Sequence, residues 1–255
     1  MLLGLICAGD VHHARSHMTP LDESAREALL GDIESDVTMT SSITGRQALG
    51  PRIRAAIACV ARDAFVPQAW HGKAWKNQPL PIGHGQTISQ PFIVAIMTEL
   101  LDLVGQERIL EIGTGCGYQT AILAQCAAHV HTVELISDLT KIARQTLTRL
   151  GFSNIDFLNN DGHLGWPEYA PYDAIMVTAA ASRVPPALLE QLKPGGRMIL
   201  PVSRELGWAN QDLTLVTKDK WGTVTRKKVL DVTFVPLIEV SGYTTLAMTS
   251  QSAKH

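Results

Sequence analysis

The sequence predicts an α/β fold in which helices cover both faces of a mostly parallel sheet. Three observations favour this class. The chain has 255 residues, of which 45% are hydrophobic and only 5% aromatic, so aliphatic side chains dominate the core. After Gly105, short apolar runs alternate with helical segments, the pattern of successive right-handed βαβ units. The length suits either one large α/β domain or one domain with an appendage.

The first 45 residues differ from the rest in charge. They hold seven acidic and two basic side chains, a balance of −5, whereas the whole chain has a net charge of −2, so residues 46–255 carry +3. We expect residues 1–45 to form an acidic, weakly ordered N-terminal extension with at most a short helix over Asp22–Leu30. Residues 46–255 are expected to form the functional domain.

Two helices and a loop are predicted ahead of the sheet. Apolar residues at helical spacing predict a helix over 52–64, which Pro67 ends. Residues 77–85 contain two prolines and two glycines and are predicted to be a loop. A second helix is predicted over 90–103, because Pro91 suits a first helical turn and apolar residues follow at a 3.6-residue period.

Seven strands are predicted from the apolar runs after Gly105, with helices over 118–126, 138–150 and 186–192 between some of them. The last two strands follow one another without a helix. This predicts an antiparallel pair at one edge of an otherwise parallel sheet. The predicted strands cover residues 108–112, 130–133, 155–158, 172–177, 197–202, 213–217 and 229–235.

Composition and spacing exclude several classes of protein. The near-neutral charge argues against a dedicated nucleic-acid binder. The apolar start, residues 1–8, lacks the basic region of a signal peptide, and no run approaches the roughly 20 apolar residues of a membrane span. We therefore expect a cytoplasmic enzyme, acting as a monomer, with no nucleic-acid or membrane partner.

The sequence pattern also argues against a metal site and against a disulfide framework. The four cysteines are scattered without a CxxC pair. The histidines at positions 12, 13 and 17 lack a cysteine or carboxylate at ligand spacing, and we interpret them as part of a solvated tail. No metal site is predicted.

A glycine-rich turn after the first predicted strand indicates the cofactor site. Gly113, Gly115 and Gly117 follow Glu111, at the edge of a parallel sheet where ligands bind. A dinucleotide fingerprint would need glycine at position 118, where this chain has Tyr118. The pattern suits S-adenosylmethionine instead, whose ammonium and sulfonium groups the Glu111 carboxylate would face.

Two further carboxylates follow the next strands. Glu134 ends the second strand and can accept hydrogen bonds from both ribose hydroxyls. Asp161 follows the third strand and can accept the adenine amino group. Each could instead be a surface or turn residue, but three acidic residues at three successive strand ends favour a common ligand.

The run from Gly85 to Pro91, Gly-Gln-Thr-Ile-Ser-Gln-Pro, ends at the start of the helix predicted over 90–103. Ser89 would lie at this helix end, facing a bound anion or serving as an ordinary N-cap. It is not the nucleophile of a GxSxG elbow, because that motif is absent.

These motifs together resemble the protein-L-isoaspartate O-methyltransferases. The resemblance spans about residues 46–240 and rests on the Pro-Leu-Pro-Ile-Gly-His-Gly-Gln-Thr-Ile-Ser-Gln-Pro run and on Leu-Glu-Ile-Gly-Thr-Gly-Cys-Gly. Further matches are Arg-Asp-Ala-Phe-Val-Pro at 62–67 and Phe-Val-Pro-Leu at 234–237. Cys116 replaces a frequent serine, Asn160 replaces a usual glycine, and the acidic extension is the largest departure.

The resemblance implies a class I S-adenosylmethionine-dependent methyltransferase fold, Rossmann-like, with a seven-stranded sheet and an antiparallel edge strand. It implies S-adenosylmethionine as methyl donor and isoaspartyl residues of damaged proteins and peptides as acceptors, with repair through a succinimide. By motif, Ser89 matches the active-site serine. The remaining matches are Glu111, Gly113, Gly115, Gly117, Glu134 and Asp161 for the cofactor, and Thr87, Ile88, Val235 and Pro236 for the peptide.

Two other functions stay open at this point. One is methylation of another carboxylate or small molecule, which would share the cofactor site. The other is a noncatalytic S-adenosylmethionine-binding module, which loss of Ser89 or Glu111 would have favoured. Base methylation is disfavoured, because Val177-Thr178-Ala179-Ala180 stands where an Asn/Asp-Pro-Pro-Tyr/Phe motif is expected.

Overall fold

The computed structural model describes residues 20–204 and 210–238. Its centre is a seven-stranded sheet of order β5-β4-β3-β6-β7-β8-β9, and a separate two-stranded hairpin, β1–β2, precedes it. The fold class predicted from the sequence is confirmed. The strands are β1 Leu80–Gly83, β2 Gln86–Ile88, β3 Arg108–Ile112, β4 His129–Glu134, β5 Ile155–Asn159, β6 Tyr172–Val177, β7 Leu192–Ser203, β8 Gln211–Lys218 and β9 Val224–Val232.

Strands β3 to β7 run parallel to one another, whereas β8 is antiparallel to β7 and β9 is antiparallel to β8. The predicted antiparallel edge pair is thereby confirmed. Its last strand ends at Val232, not at Val235 as the sequence predicted. The chain leaves the sheet there because Pro236 instead forms a bridge with Ala180, after β6.

Helices cover both faces of this sheet. Successive residues of β3 alternate between two apolar clusters, with Ile109 on one side and Leu110 and Ile112 on the other. No helix within the described ranges is long and apolar enough to cross a bilayer. The helices are α1 Pro20–Met39, α2 Ser41–Thr44, α3 Pro51–Cys59, α4 Pro91–Leu100, α5 Tyr118–Cys126, α6 Ser137–Arg149 and α7 Pro186–Gln191.

Helix α3 is shorter than the predicted helix over 52–64. It ends at Cys59, and a 3-10 turn over Arg62–Phe65 follows. The break places the Arg62 side chain in the interior with no exposed surface, where its guanidinium donates to the carbonyl oxygens of Ala74, Gln78 and Ser89. Three hydrogen bonds from a buried guanidinium outweigh one further turn of helix.

The segment predicted as a loop over 77–85 contains the first strand and the turn of a β-hairpin. Strands β1 and β2 pair antiparallel, with Leu80 opposite Ile88. His84 and Gly85 form the turn between them, both with positive φ (52° and 69°). The two prolines led to the prediction of a loop in place of strand β1. A two-stranded hairpin tolerates Pro81, because proline is accepted in edge strands.

The expectation of a weakly ordered extension over 1–45 is wrong for its second half. Helix α1 packs four apolar side chains into the main core, namely Leu29, Leu30, Ile33 and Val37, each at most 1% exposed. These positions follow helical spacing, so their burial stabilises the helix against the domain. Residues 1–19, including the three N-terminal histidines, lie outside the described residues.

We predict that Ile33→Ala lowers the free energy of unfolding by about 2–5 kcal/mol, because it removes a fully buried side chain and leaves a cavity. Ile43→Ala is the matched control. Ile43 is 54% exposed, and its replacement is expected to stay within about 0.5 kcal/mol of the parent. Urea denaturation followed by circular dichroism measures both. Equal, small effects of the two substitutions would show that α1 does not belong to the core.

Candidate active site

A cleft opens at the carboxyl ends of β3, β4 and β6, between the β1–β2 hairpin and the segment after β9. It brings together eight of the eleven residues singled out from the sequence. These are Thr87, Ile88, Ser89, Gly113, Gly115, Glu134, Val235 and Pro236. Glu111, Gly117 and Asp161 do not line it.

The glycine turn shapes the floor of the cleft. Gly113 has φ of 93°, and a Cβ atom on it would lie 2.3 Å from Thr178 Oγ1, so no other residue fits without rearrangement. The Thr178 hydroxyl lies 2.6 Å from the carbonyl oxygen of Gly113 and 3.0 Å from that of Ile112, and can donate to either. Thr178 therefore fixes the backbone on which a ligand would lie.

Gly117 does not line the cleft, and its predicted contact with the cofactor stays a prediction. A Cβ atom there would lie 2.9 Å from Leu147 Cδ1 and 3.3 Å from the Ala143 methyl group, both on α6. Gly117 thus allows the start of α5 to approach α6 closely. It supports the cofactor loop from behind and is not part of the cleft wall.

Glu134 is the acidic residue of the cleft. Its Oε2 accepts from Gly115 N at 2.8 Å, and its Oε1 accepts from Ile136 N at 2.9 Å. Burial raises the pKa of this carboxyl, and the N–H groups of Ile136 and Gly115 oppose that shift. Each oxygen keeps a second lone pair, so two ligand hydroxyls can still donate to it.

Glu111 lies beneath the cleft and not in its wall. The side chain is fully buried, and Oε2 accepts from the hydroxyls of Thr120 and Thr132, both at 2.6 Å. Burial raises the pKa of Glu111 to about 8. The carboxyl has no exposed surface, so its predicted contact with the cationic methionine portion stays a prediction.

The Asp161 side chain contacts His163, two residues along the chain, and does not line the cleft. Its Oδ1 accepts from His163 N at 2.9 Å and lies 3.0 Å from His163 Nδ1, capping a 3-10 turn over Gly162–Leu164. The next residue, Gly162, lines the cleft instead. Asp161 therefore shapes the wall through the turn that it caps.

The hairpin loop contributes the other wall. Thr87 is exposed, Ile88 is buried and Ser89 is half-buried at the rim. Gln90, not Ser89, is the N-cap of α4, and it makes no side-chain capping bond. The alternative of Ser89 as an ordinary N-cap is therefore excluded. The carbonyl oxygen of Ser89 accepts a hydrogen bond from the Arg62 guanidinium at 3.1 Å, which holds the backbone at this position.

The segment after β9 forms the roof. The N–H group of Ala180 donates to Val235 O at 2.8 Å, and Leu237 N donates back to Ala180 O at 2.7 Å. The buried side-chain amide of Gln211 accepts from Phe234 N and donates to Phe234 O. These bonds position Val235 and Pro236 over the glycine turn.

A second cleft adjoins the first and shares Thr87, Ser89, Thr178 and Val235 with it. A molecule in the second cleft would therefore meet a cofactor in the first beside Ser89. Sequence reasoning missed three residues that build this junction: Arg62, Thr178 and Gln211. Arg62 lies in the 62–67 run that supports the resemblance, and Thr178 lies in the run that argues against base methylation, but only their partners in the fold show what they do.

The comparisons with known proteins agree on one family. A family model described as protein-L-isoaspartate(D-aspartate) O-methyltransferase (PCMT) matches residues 36–242. The protein-L-isoaspartate O-methyltransferase 2 of Syntrophobacter fumaroxidans is 49% identical over 214 residues, which is 84% of this chain and 86% of that protein. The enzyme of the same name from a Polaromonas species is 48% identical over 209 residues, 82% of this chain and 98% of that protein.

Solved structures agree with this result. A protein-L-isoaspartate O-methyltransferase matches with a TM-score of 0.74 and 27% identity, covering 88% of this chain and 69% of that one. The structure of a putative protein-L-isoaspartate O-methyltransferase from Plasmodium falciparum, in complex with S-adenosyl-L-homocysteine, shares the fold. Its TM-score is 0.66 at 22% identity, and the match covers 82% of this chain and 97% of that one.

We predict that Glu111→Gln removes a pH-dependent loss of stability. The carboxyl ionises near pH 4.5 in the unfolded chain and near pH 8 in the folded one. Between these values the unfolded state binds fewer protons, so the free energy of unfolding falls as pH rises. The slope from this one group reaches about 1.4 kcal/mol per pH unit at most. Relative to the parent, the variant gains on the order of a few kcal/mol at pH 8.

Urea denaturation at pH 5, 6.5 and 8 measures this difference. Glu190→Gln, which changes an exposed carboxylate on α7, is the control and should parallel the parent. A constant difference between Glu111→Gln and the parent across this range would contradict the raised pKa.

Proposed function

The chain belongs to the protein-L-isoaspartate(D-aspartate) O-methyltransferase family, and from this premise we propose how its residues carry out the reaction. The enzyme transfers a methyl group from S-adenosylmethionine to the free carboxylate of L-isoaspartyl residues in proteins and peptides. The observation that carries the proposal is the junction of the two clefts at Ser89 and Thr178.

The residues present fit S-adenosylmethionine. The turn at Gly113 and Gly115 offers bare backbone to a ligand, and Glu134 has lone pairs for the two ribose hydroxyls. When bound, the cofactor supplies an electrophilic methyl group on a positively charged sulfur. Asp161 shapes the adenine side of the cleft through its turn, and its contact with the adenine amino group stays a prediction.

The acceptor needs orientation and not a strong base. A free α-carboxylate has a pKa near 3.5, so it is ionised at neutral pH and is already nucleophilic. The protein's task is to hold one carboxylate oxygen in line with the methyl group and to exclude water. We propose that the Ser89 hydroxyl donates a hydrogen bond to the acceptor carboxylate, while Thr87, Ile88, Val235 and Pro236 hold the peptide.

The product is a methyl ester, which the peptide converts to a succinimide without further help from the enzyme. The backbone nitrogen that follows attacks the ester carbonyl, loses its proton and expels methanol, closing a succinimide. Water then opens the ring to normal or isoaspartyl linkage, so repeated turnover repairs the chain. Methylation of an unrelated small molecule is disfavoured by the family membership and by the retained peptide-facing residues.

We also propose that the enzyme acts as a monomer in the cytoplasm. The groups to which the proposed mechanism gives roles lie together in one chain. Cys116 and Cys126 are buried free thiols, and burial raises the pKa of each, to about 11 and about 12. Such thiols suit a reducing compartment.

We predict that Ser89→Ala lowers kcat/KM for an isoaspartyl peptide by about 10- to 100-fold, the effect of losing a hydrogen bond to a charged group. Methyl transfer from labelled S-adenosylmethionine to the isoaspartyl peptide and to its normal aspartyl twin measures this. Ser153→Ala, at an exposed turn, is the control. Equal labelling of the two peptides would contradict the repair function. Full activity of Ser89→Ala would contradict only the role proposed for Ser89.

We predict that Glu134→Gln weakens binding of S-adenosylmethionine at least about tenfold, because an amide replaces an acceptor for two ligand hydroxyls. Calorimetric titration measures the affinity, and Glu168→Gln, at an exposed position, is expected to match the parent. At saturating cofactor the KM for the peptide should stay unchanged. A raised KM for the peptide with unchanged affinity for S-adenosylmethionine would show instead that Glu134 contacts the peptide and not the cofactor.

A further inference from the structure

A cluster of three potential metal ligands lies away from the methyl-transfer cleft. His129 and His131 are on β4 and Asp156 is on β5, and one ligand atom from each lies within 4.8 Å of the other two. His129 opens β4, whereas Glu134 closes it at the cleft. Five residues at about 3.3 Å each separate the two positions by about 16 Å along the strand.

Strand register brings these three side chains to the same face of the sheet. His131 lies directly opposite Asp156 in the parallel β4–β5 pair, and His129 precedes His131 by two residues. Side chains two apart on a strand share a face, and cross-strand partners lie side by side. The arrangement follows from the backbone and does not depend on the rotamer of one long side chain.

The distances suit one small cation. His129 Nε2 lies 2.8 Å from Asp156 Oδ2, and His131 Nε2 lies 3.7 Å from the same oxygen. Tetrahedral zinc with bonds of about 2.0–2.1 Å places its ligand atoms about 3.3 Å apart. These two separations bracket this value, and all three ligand atoms lie within 4.8 Å of one another, so side-chain shifts of up to about 1.5 Å would complete the coordination.

His131 adds an observation that an ion pair alone does not explain. The residue is only 3% exposed, and its ring packs against Trp166, Tyr169 and Tyr172. Its Nδ1 is buried without a hydrogen bond among the described residues, and the Nε2–Asp156 separation of 3.7 Å exceeds a hydrogen bond. A buried imidazole normally has a partner, and a metal ion on Nε2 would give this ring one, although Nδ1 would still have none among the described residues.

We propose that His129, His131 and Asp156 form a site for a divalent transition-metal ion of the zinc class. Two imidazole nitrogens and a carboxylate oxygen are a donor set that zinc accepts, with water or another ligand in the fourth position, and they do not suit magnesium or calcium. The ion would join β4 to β5, the edge strand of the sheet. Its role is to stabilise this edge, because the cluster does not reach the methyl-transfer cleft.

The test uses the full chain in which the histidines at positions 12, 13 and 17 are changed to asparagine, so that they cannot bind metal. Calorimetric titration with zinc chloride is expected to give saturable binding of one ion per chain. Zinc should also raise the melting temperature, since it binds the folded state. Cobalt(II) should give the visible absorption of a four-coordinate site.

His129→Asn and Asp156→Asn, made separately in this background, are each expected to weaken zinc binding at least about tenfold. Both positions are partly exposed, and methyl transfer to the isoaspartyl peptide at the parent rate shows that the variants fold. His71→Asn, an exposed histidine elsewhere, should bind zinc as the background does. Absence of saturable binding, or unchanged binding in both variants, overturns the proposal and leaves the methyltransferase function intact.

Discussion

The buried carboxyl of Glu111 is the interaction on which the cofactor side of the molecule depends. It lies on β3, and it accepts from Thr132 on β4 and Thr120 on α5. The Thr132 hydroxyl in turn contacts Thr114 in the glycine turn at 2.6 Å. One group thereby joins two strands, a helix and the turn directly under the cleft. An ionised carboxylate would be expensive here, and the neutral form retains these bonds without that penalty.

The acceptor side is held differently, by single polar side chains that satisfy the backbone of segments outside the sheet. Arg62 donates to three carbonyl oxygens, one of them that of Ser89, and Gln211 binds both backbone groups of Phe234. Loops buried without such partners would leave polar groups unsatisfied. The hairpin and the roof segment can therefore face each other across the cleft, with Ser89 between the two binding regions.

The sequence predicted what local pattern controls and missed what tertiary packing decides. Glycine spacing and alternating apolar runs located the sheet, the turn and Ser89. Charge averaged over residues 1–45 concealed Leu29, Leu30, Ile33 and Val37, whose helical spacing was the available signal for α1. Burial of Glu111 and the capping role of Asp161 depend on neighbours far along the chain. The cluster of His129, His131 and Asp156 needs the β4–β5 register, which no spacing within one strand reveals.

Register also explains why two glutamates at adjacent strand ends have opposite surroundings. Glu111 pairs with Thr132, and Ile112, the last residue of β3, pairs with Val133. Strand β4 therefore extends one residue beyond β3, and Glu134 has a partner only on β5. Past the end of β3 its carboxylate meets the Gly115 N–H group and the cleft, whereas Glu111 stays covered. Because side chains alternate faces, a one-residue slip of β4 would remove Glu134 from the ligand, so the parallel register itself selects the cofactor-facing acid.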